Sequence, residues 1–359
     1  MNVLLLLKGV LLGGAENDVL RLAQGLGERG HRVIVGAEGE ALLEAVNDAG
    51  LSCERLPPAG IGNAFLGAAR FVARICREHQ IDVINAHSIW MTAHAALAGR
   101  FVGRRVPLVA TVHNIHDRRN DLLAYPVLRY LADEVVFVSR YEQERLEKRW
   151  GRRLGQVLPS GIPVPELESV EPVDLTARHG IARDALVIGF VGRLSSQKGV
   201  ADAIAALVDL PKPTVLCVVG SGPEEAALRA EVARRKLGAR VVFVGWQQNV
   251  NAYLRSFFLL VLPSRREALP VVLRQAGALA LPVVAADVGG VSEIVAHERT
   301  GLLYPAGDID ALARTLQTLL DAPERARELG RRARRFVAKR FDLERWLRET
   351  ETILESVCR

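Results

Sequence analysis

The chain has 359 residues, 49% of them hydrophobic and 25% charged, a composition that excludes intrinsic disorder, collagen-like repeats and a coiled coil. At about 100–200 residues per domain, this length provides two or three domains with ample material for buried cores. Lys and Arg outnumber Asp and Glu by 47 to 41; with aromatic residues at 5% and no basic stretch interleaved with them, nucleic acid is not an expected partner.

The remaining basic excess suits a phosphorylated substrate or an anionic membrane surface, and equally an arginine-rich surface solvated evenly. The opening Met1-Asn2-Val3-Leu4-Leu5-Leu6-Leu7 has no basic residue before its apolar run and no small-residue cleavage site after it, so it reads as a buried strand and not a signal peptide. No apolar run approaches the ~18–20 residues that span a bilayer. Cys53, Cys76, Cys217 and Cys358 are scattered without paired spacing, which predicts neither a zinc site nor a disulfide framework and points to a reducing cytoplasm.

In chain order, strand-like runs fall at Asn2–Leu7, Arg32–Val35, Asp82–Ala86, Leu108–Val112 and Glu134–Val138, with helical patterns such as Ala15–Arg29 and Phe65–His79 between them. The segment from Pro159 to Pro172 holds four prolines and no helical period, which predicts an extended hinge. The alternation restarts with Leu186–Val191, Thr214–Val219, Val241–Val244, Leu259–Leu262 and Pro282–Ala285, with helices such as Glu224–Lys236 between. It closes on two arginine-rich helical patterns, Pro323–Arg340 and Asp342–Val357. Such alternation predicts two α/β domains, each a parallel sheet with helices on both faces. The boundaries read as 1–162, a linker at 163–174, 175–340, and a terminal helix at 341–359.

Doubly wound sheets bind ligands beyond the carboxyl ends of their strands, and five loops there have unusual composition. Gly9 to Glu16 carries Gly13-Gly14 ahead of a helix, where free N–H groups suit an anion, although the G-x-G-x-x-G dinucleotide fingerprint is missing and a bare glycine turn explains it equally. Gly192-Arg193-Leu194-Ser195-Ser196-Gln197-Lys198-Gly199 brings two cations to one strand-to-helix loop, which suits a diphosphate. Gly220-Ser221-Gly222-Pro223, Pro263-Ser264-Arg265-Arg266-Glu267 leading to Gln275, and Val288-Gly289-Gly290 with Glu293 follow in order. Each alone is turn chemistry; their joint appearance on one half is harder to dismiss.

These stretches resemble the nucleotide-sugar-binding half of retaining family-four glycosyltransferases, and Leu281-Pro282-Val283-Val284-Ala285-Ala286-Asp287 is part of the longest match. Gly13-Gly14-Ala15-Glu16, Thr111-Val112-His113-Asn114 and Val138-Ser139 extend the resemblance to the first half. It implies the GT-B architecture, two Rossmann-like α/β domains facing a cleft, with the C-terminal helix returning to the first domain. It further implies a nucleoside-diphosphate-sugar donor, no cofactor, no metal, and a carbohydrate or lipid-linked acceptor. By the same resemblance Arg193 and Lys198 hold the diphosphate with backbone near Gly13 and Gly14, His113 sits at the donor sugar, and Glu267 faces the transferred sugar. Gly222, Gly245 and Trp246 border the donor, and His87 is a candidate on the acceptor side.

One position departs from the family pattern of two glutamates separated by seven residues: Glu267 is present, but Gln275 stands at the second. A glutamine carbonyl still accepts a hydrogen bond from a ribose hydroxyl, without the charge. The expected activity is sugar transfer with retention of configuration, in cell-surface polysaccharide, lipopolysaccharide or glycolipid synthesis. Two alternatives stand beside it: a catalytically silent nucleotide-sugar-binding scaffold, and a nicotinamide-dependent oxidoreductase. Arg100, Arg104 and Arg105 around Phe101-Val102, and Arg118-Arg119 before Leu122-Leu123-Ala124-Tyr125, are the residues expected to meet the inner face of a membrane.

Overall fold

The computed structural model describes residues 1–9, 13–58, 63–113 and 118–359, and only the backbone of 63 and 118–123. These residues divide into two units, Met1–Gly161 with Leu343–Arg359, and Ile162–Asp342.

The first unit holds β1 (Asn2–Leu7), β2 (Arg32–Ala37), β3 (Ser52–Arg55), β4 (Val83–Ala86), β5 (Leu108–Val112), β6 (Glu134–Phe137) and β7 (Gln156–Val157). All pair in parallel, in the order β3-β2-β1-β4-β5-β6-β7. The leucine run of β1 shows why the sheet is covered on both faces. Successive side chains point to opposite sides, yet the whole run from Val3 to Leu7 is buried. Val3, Leu5 and Leu7 join a cluster with Val19, Leu22 and Leu26 of the helix Gly14–Glu28, whereas Leu4 and Leu6 join Val72, Ile75, Met91 and Ala95 from the helices Asn63–Glu78 and Ile89–Val102.

The helix Leu343–Cys358 packs into the first of these clusters through Trp346, Leu347, Ile353 and Leu354. Its outer edge is tied to the same unit by Arg29 to Glu344 at 2.6 Å and His31 Nε2 to Glu351 at 2.7 Å.

The second unit holds β8 (Leu186–Val191), β9 (Thr214–Val219), β10 (Val241–Gly245), β11 (Leu259–Leu262), β12 (Val283–Ala286) and β13 (Leu302–Tyr304), again all parallel, ordered β10-β9-β8-β11-β12-β13. Its core joins Ile188, Phe190, Leu216, Val218 and Val261 from the strands to Leu312, Leu316 and Leu319 of the helix Ile309–Leu320.

Two sequence expectations are corrected. Three strands went unread: β3, β7 and β13 have four, two and three residues, too few for a period-two pattern to declare itself. The stretch 163–174 is not extended throughout and lies in the second unit. Val164–Glu168 forms a single helical turn, with Leu167 buried at 3% exposure. Prolines are tolerated in a first turn, where the missing N–H would have had no partner, so Pro163 and Pro165 start this helix instead of preventing it.

In each sheet the strand order reverses once, at β1–β4 and at β8–β11. Connections leave such a pair toward opposite faces, so the loops after the two strands part and leave a crevice at their carboxyl ends. The loops that follow β8 and β11 carry Lys198 and Glu267; those that follow β1 and β4 carry Gly13 and His87.

Candidate active site

After β8 the chain turns through Arg193 to Ser195, makes one 3-10 turn at Ser196–Lys198, and enters the helix Val200–Ala206 through Gly199 at φ +64°. A Cβ at Gly199 would lie 2.0 Å from the Pro263 carbonyl oxygen, so only glycine lets this loop approach the one after β11 so closely. Gln197 then joins the two loops twice. Its carbonyl accepts from the Arg265 N–H at 2.7 Å, and its side-chain amide donates to the Arg266 carbonyl at 3.0 Å. Arg265 also reaches Asp202 at 2.8 Å, whose carboxyl is raised above its usual range by burial and partly held down by that guanidinium.

The junction sets a charged pair. Lys198 Nζ donates to Glu267 Oε1 at 2.6 Å, and the Ser264 hydroxyl donates to the same oxygen at 2.7 Å. Glu267 is 6% exposed and Ser264 fully buried. With Oε1 doubly engaged, the carboxylate is fixed in rotation and Oε2 is its working acceptor. Arg193 is exposed and, among the described residues, its side chain has no hydrogen bond or ion pair, so its guanidinium is available to an anion.

Gly222 serves packing: a Cβ there would meet the Leu194 carbonyl oxygen at 2.3 Å. Leu194 N–H donates to Ser221 O at 2.9 Å, and Gly220 N–H to Gly245 O at 2.8 Å, so the loops after β8, β9 and β10 form one layer. Trp246, next to Gly245, is 56% exposed. Gln275 lies in the helix Val271–Ala278, 8% exposed, and its side chain makes no hydrogen bond among the described residues. That helix begins four residues after Glu267, so the loop and not helical spacing sets how the two side chains relate.

In the first unit the Gly13 N–H is taken by Glu16 Oε2 at 3.1 Å, and burial raises the Glu16 carboxyl above its usual range. Gly14 opens the helix that follows. Residue 114 of the Thr111-Val112-His113-Asn114 motif lies outside the described residues. His87 is not open to a large acceptor: it is 5% exposed, and its Nδ1 lies 2.9 Å from His113 Nε2. Burial, with the nearby His113 second, pushes its pKa well below the usual histidine range.

Sequence reading gave no role to Ser264, Gln197 or Arg265. Ser264 carried a weak signal, an alcohol three residues before an acid in a proline-bounded loop; Gln197 and Arg265 act on partners far along the chain and carried none.

The expected membrane residues fare unevenly. Ala124 and Tyr125 are core, whereas Phe101 is exposed beside the exposed Arg100, Arg104 and Arg105; Arg104 also donates to the Ile81 carbonyl and Arg105 pairs with Asp133. The side chains of 118, 119, 122 and 123 lie outside the described residues. No described helix is long and apolar enough to cross a membrane. Among the described residues there is no group of three or more His, Cys, Asp or Glu side chains able to hold a metal.

Comparison with known proteins fits this architecture. Residues 12–164 match the family description "Glycosyltransferase Family 4", and residues 174–336 match "Glycosyl transferases group 1". The alpha-maltose-1-phosphate synthase of Mycolicibacterium smegmatis is 32% identical over 76% of this chain and 78% of its own length. The chain belongs to the family-four glycosyltransferases. A second relative, the N-acetyl-alpha-D-glucosaminyl L-malate synthase of Bacillus anthracis, is 27% identical over 82% of this glycosyltransferase and 80% of that protein. Among solved structures, Anabaena Alr3699/HepE in complex with UDP-glucose superposes at a TM-score of 0.89 with 25% identity, covering 99% of this glycosyltransferase and 100% of the other chain. The GT-B fold is thus common to the glycosyltransferase and its structural neighbours.

Proposed function

We propose that this glycosyltransferase moves a sugar from a nucleoside-diphosphate donor to an acceptor hydroxyl with retention of anomeric configuration and without a metal ion. The observation that carries the reading is the Lys198–Glu267–Ser264 cluster at the β8–β11 reversal, with the Arg193 guanidinium beside it in sequence. Transfer needs negative charge stabilised on the departing diphosphate and positive charge stabilised at the anomeric carbon. Arg193 and Lys198 supply the first. Glu267, held through Oε1, presents Oε2 to the second. His113 is assigned the donor-sugar contact and the Gly13-Gly14 turn a backbone contact to the diphosphate through the Gly14 N–H, the Gly13 N–H being held by Glu16. Gly222 and Gly245 shape the nucleotide side, where Trp246 borders the base and Gln275 accepts from the ribose.

The donor proposed first is a UDP-sugar, because the 25% identical neighbour binds UDP-glucose. The acceptor is a carbohydrate or lipid-linked hydroxyl of cell-surface glycan synthesis, met from the cytoplasmic side. Attachment to an anionic membrane surface is assigned to the first unit. There Trp150 stacks on Tyr125 at 4.8 Å, and Tyr130 and Leu131 are exposed beside Arg129, with Lys148 and Arg149 in the neighbouring helix.

A donor screen measuring nucleoside-diphosphate release, with and without candidate acceptors, tests the activity. Release that rises with an acceptor supports the reading. Donor binding without release under any acceptor favours the second reading, a silent nucleotide-sugar-binding scaffold, which Gln275 in place of an acid supports.

A further inference from the structure

His87 and His113 face each other ring nitrogen to ring nitrogen, Nδ1 to Nε2 at 2.9 Å. At that distance one nitrogen must carry the proton and the other the lone pair. Which is which follows from the far side of His87. Its Nε2 is buried and has no hydrogen-bond partner among the described residues, and His87 lines a cavity of about 20 Å³ inside the first unit. Asp18, Ser160 and Thr350 line the same cavity. The Asp18 carboxylate accepts from the Ser160 hydroxyl, and Thr350, on the C-terminal helix, has a buried hydroxyl oxygen with no hydrogen-bond partner among the described residues. The space holds about one water, which can accept from an imidazole N–H and donate onward to the carboxylate.

A neutral imidazole has one donor and one acceptor nitrogen, and the bond made by one nitrogen decides the state of the other. Asp18, although 4.0 Å from the Arg21 guanidinium, is the one carboxylate lining the cavity among the described residues, and a carboxylate favours an N–H pointed toward it. We propose that His87 is a positioning residue: with its Nε2–H directed into the Asp18 cavity, its Nδ1 accepts from His113 Nε2–H and so fixes the ring plane and tautomer of His113. Burial keeps His87 neutral, which preserves the acceptor. In that tautomer Nδ1 is the acceptor nitrogen of His113, and the cavity is closed in part by Thr350 of the C-terminal helix. His87 acts through His113 and not on the acceptor. The kinetic half of the inference rests on the reading that places His113 at the donor sugar; the tautomer half does not.

Ring-labelled [15N]histidine protein, with the His113 signals identified by their loss in His113→Gln, gives the direct test. The wild-type spectrum is expected to show neutral His113 protonated at Nε2. His87→Asn keeps an acceptor oxygen near the position of Nδ1 and is expected to keep that tautomer and near-normal turnover. His87→Phe keeps the buried ring and removes both nitrogens. His113 should then shift toward the other tautomer, and kcat should fall roughly ten- to hundredfold at unchanged donor KM. His113 protonated at Nδ1 in wild type or in His87→Asn overturns the inference, and those two spectra suffice if His87→Phe fails to fold. An unaltered tautomer in a folded His87→Phe also overturns it. A shifted tautomer with normal turnover upholds the positioning and instead removes His113 from the donor sugar.

Discussion

Glu267 and Gln275 are both buried, yet they are held in opposite ways. Glu267 is anchored by Lys198 and Ser264 on one oxygen, while Gln275 makes no side-chain hydrogen bond among the described residues. A group fixed beforehand toward developing charge contributes to the transition state more than to donor binding. Glu267→Gln is therefore expected to lower kcat far more than it weakens the donor, and steady-state kinetics beside nucleotide calorimetry reads the split. Gln275→Glu is expected to tighten the donor by about 1–2 kcal/mol, roughly tenfold or somewhat more, with kcat little changed. A shift in melting temperature with unaltered donor affinity would mean that Gln275 only packs its helix. Much of this site was legible: the Arg193–Lys198 loop and Glu267 stand out as chemistry-bearing residues at strand ends. What joins them was not. Lys198 and Glu267 are 69 positions apart, and His87 and His113 are 26 apart. No local pattern reports that such pairs touch; strand order decides it.

The long strands were legible because they are buried on both faces and read as continuous apolar runs, as in β1 and β9. The short edge strands β3 and β7 carry charged or polar residues and few positions, so sequence pattern passed them over. The helix Leu343–Cys358 shows the same limit at larger scale. Its amphipathic spacing declares a helix, but only the fold shows Trp346, Leu347, Ile353 and Leu354 filling the β1 side of the first unit. At about 1.5–3 kcal/mol for each fully buried large apolar side chain, these four rival the net stability of a domain. A chain ending at Asp342 is thus expected to lose cooperative unfolding of the first unit while the second keeps its own transition. Calorimetric scans of the two chains check this, and two undiminished transitions in the shortened chain would deny the helix its structural role.

Across the chain, two parallel sheets each reverse strand order once, and Gly13, His87, Arg193, Lys198 and Glu267 fall in the loops beside those reversals. The first unit also carries the exposed Trp150, Tyr130 and Leu131 among cations. Aromatic and basic side chains together favour the anionic interface. Flotation with anionic liposomes at low salt should carry the wild-type protein upward. Trp150→Ala with Tyr130→Ala should leave it behind, and equal flotation of both proteins would place membrane contact elsewhere.

On this reading the second unit grips a nucleoside diphosphate through the loop after β8. Arg193 is exposed, so Arg193→Ala should fold normally; Lys198→Ala also strands the buried Glu267 carboxylate and should cost about 1–3 kcal/mol of stability. Isothermal calorimetry of UDP with the wild type and both variants measures this grip. Each variant removes a charge-assisted hydrogen bond of about 1.5–3 kcal/mol, so affinity should fall roughly ten- to hundredfold in both. Unchanged affinity in the two folded variants would put the phosphates elsewhere.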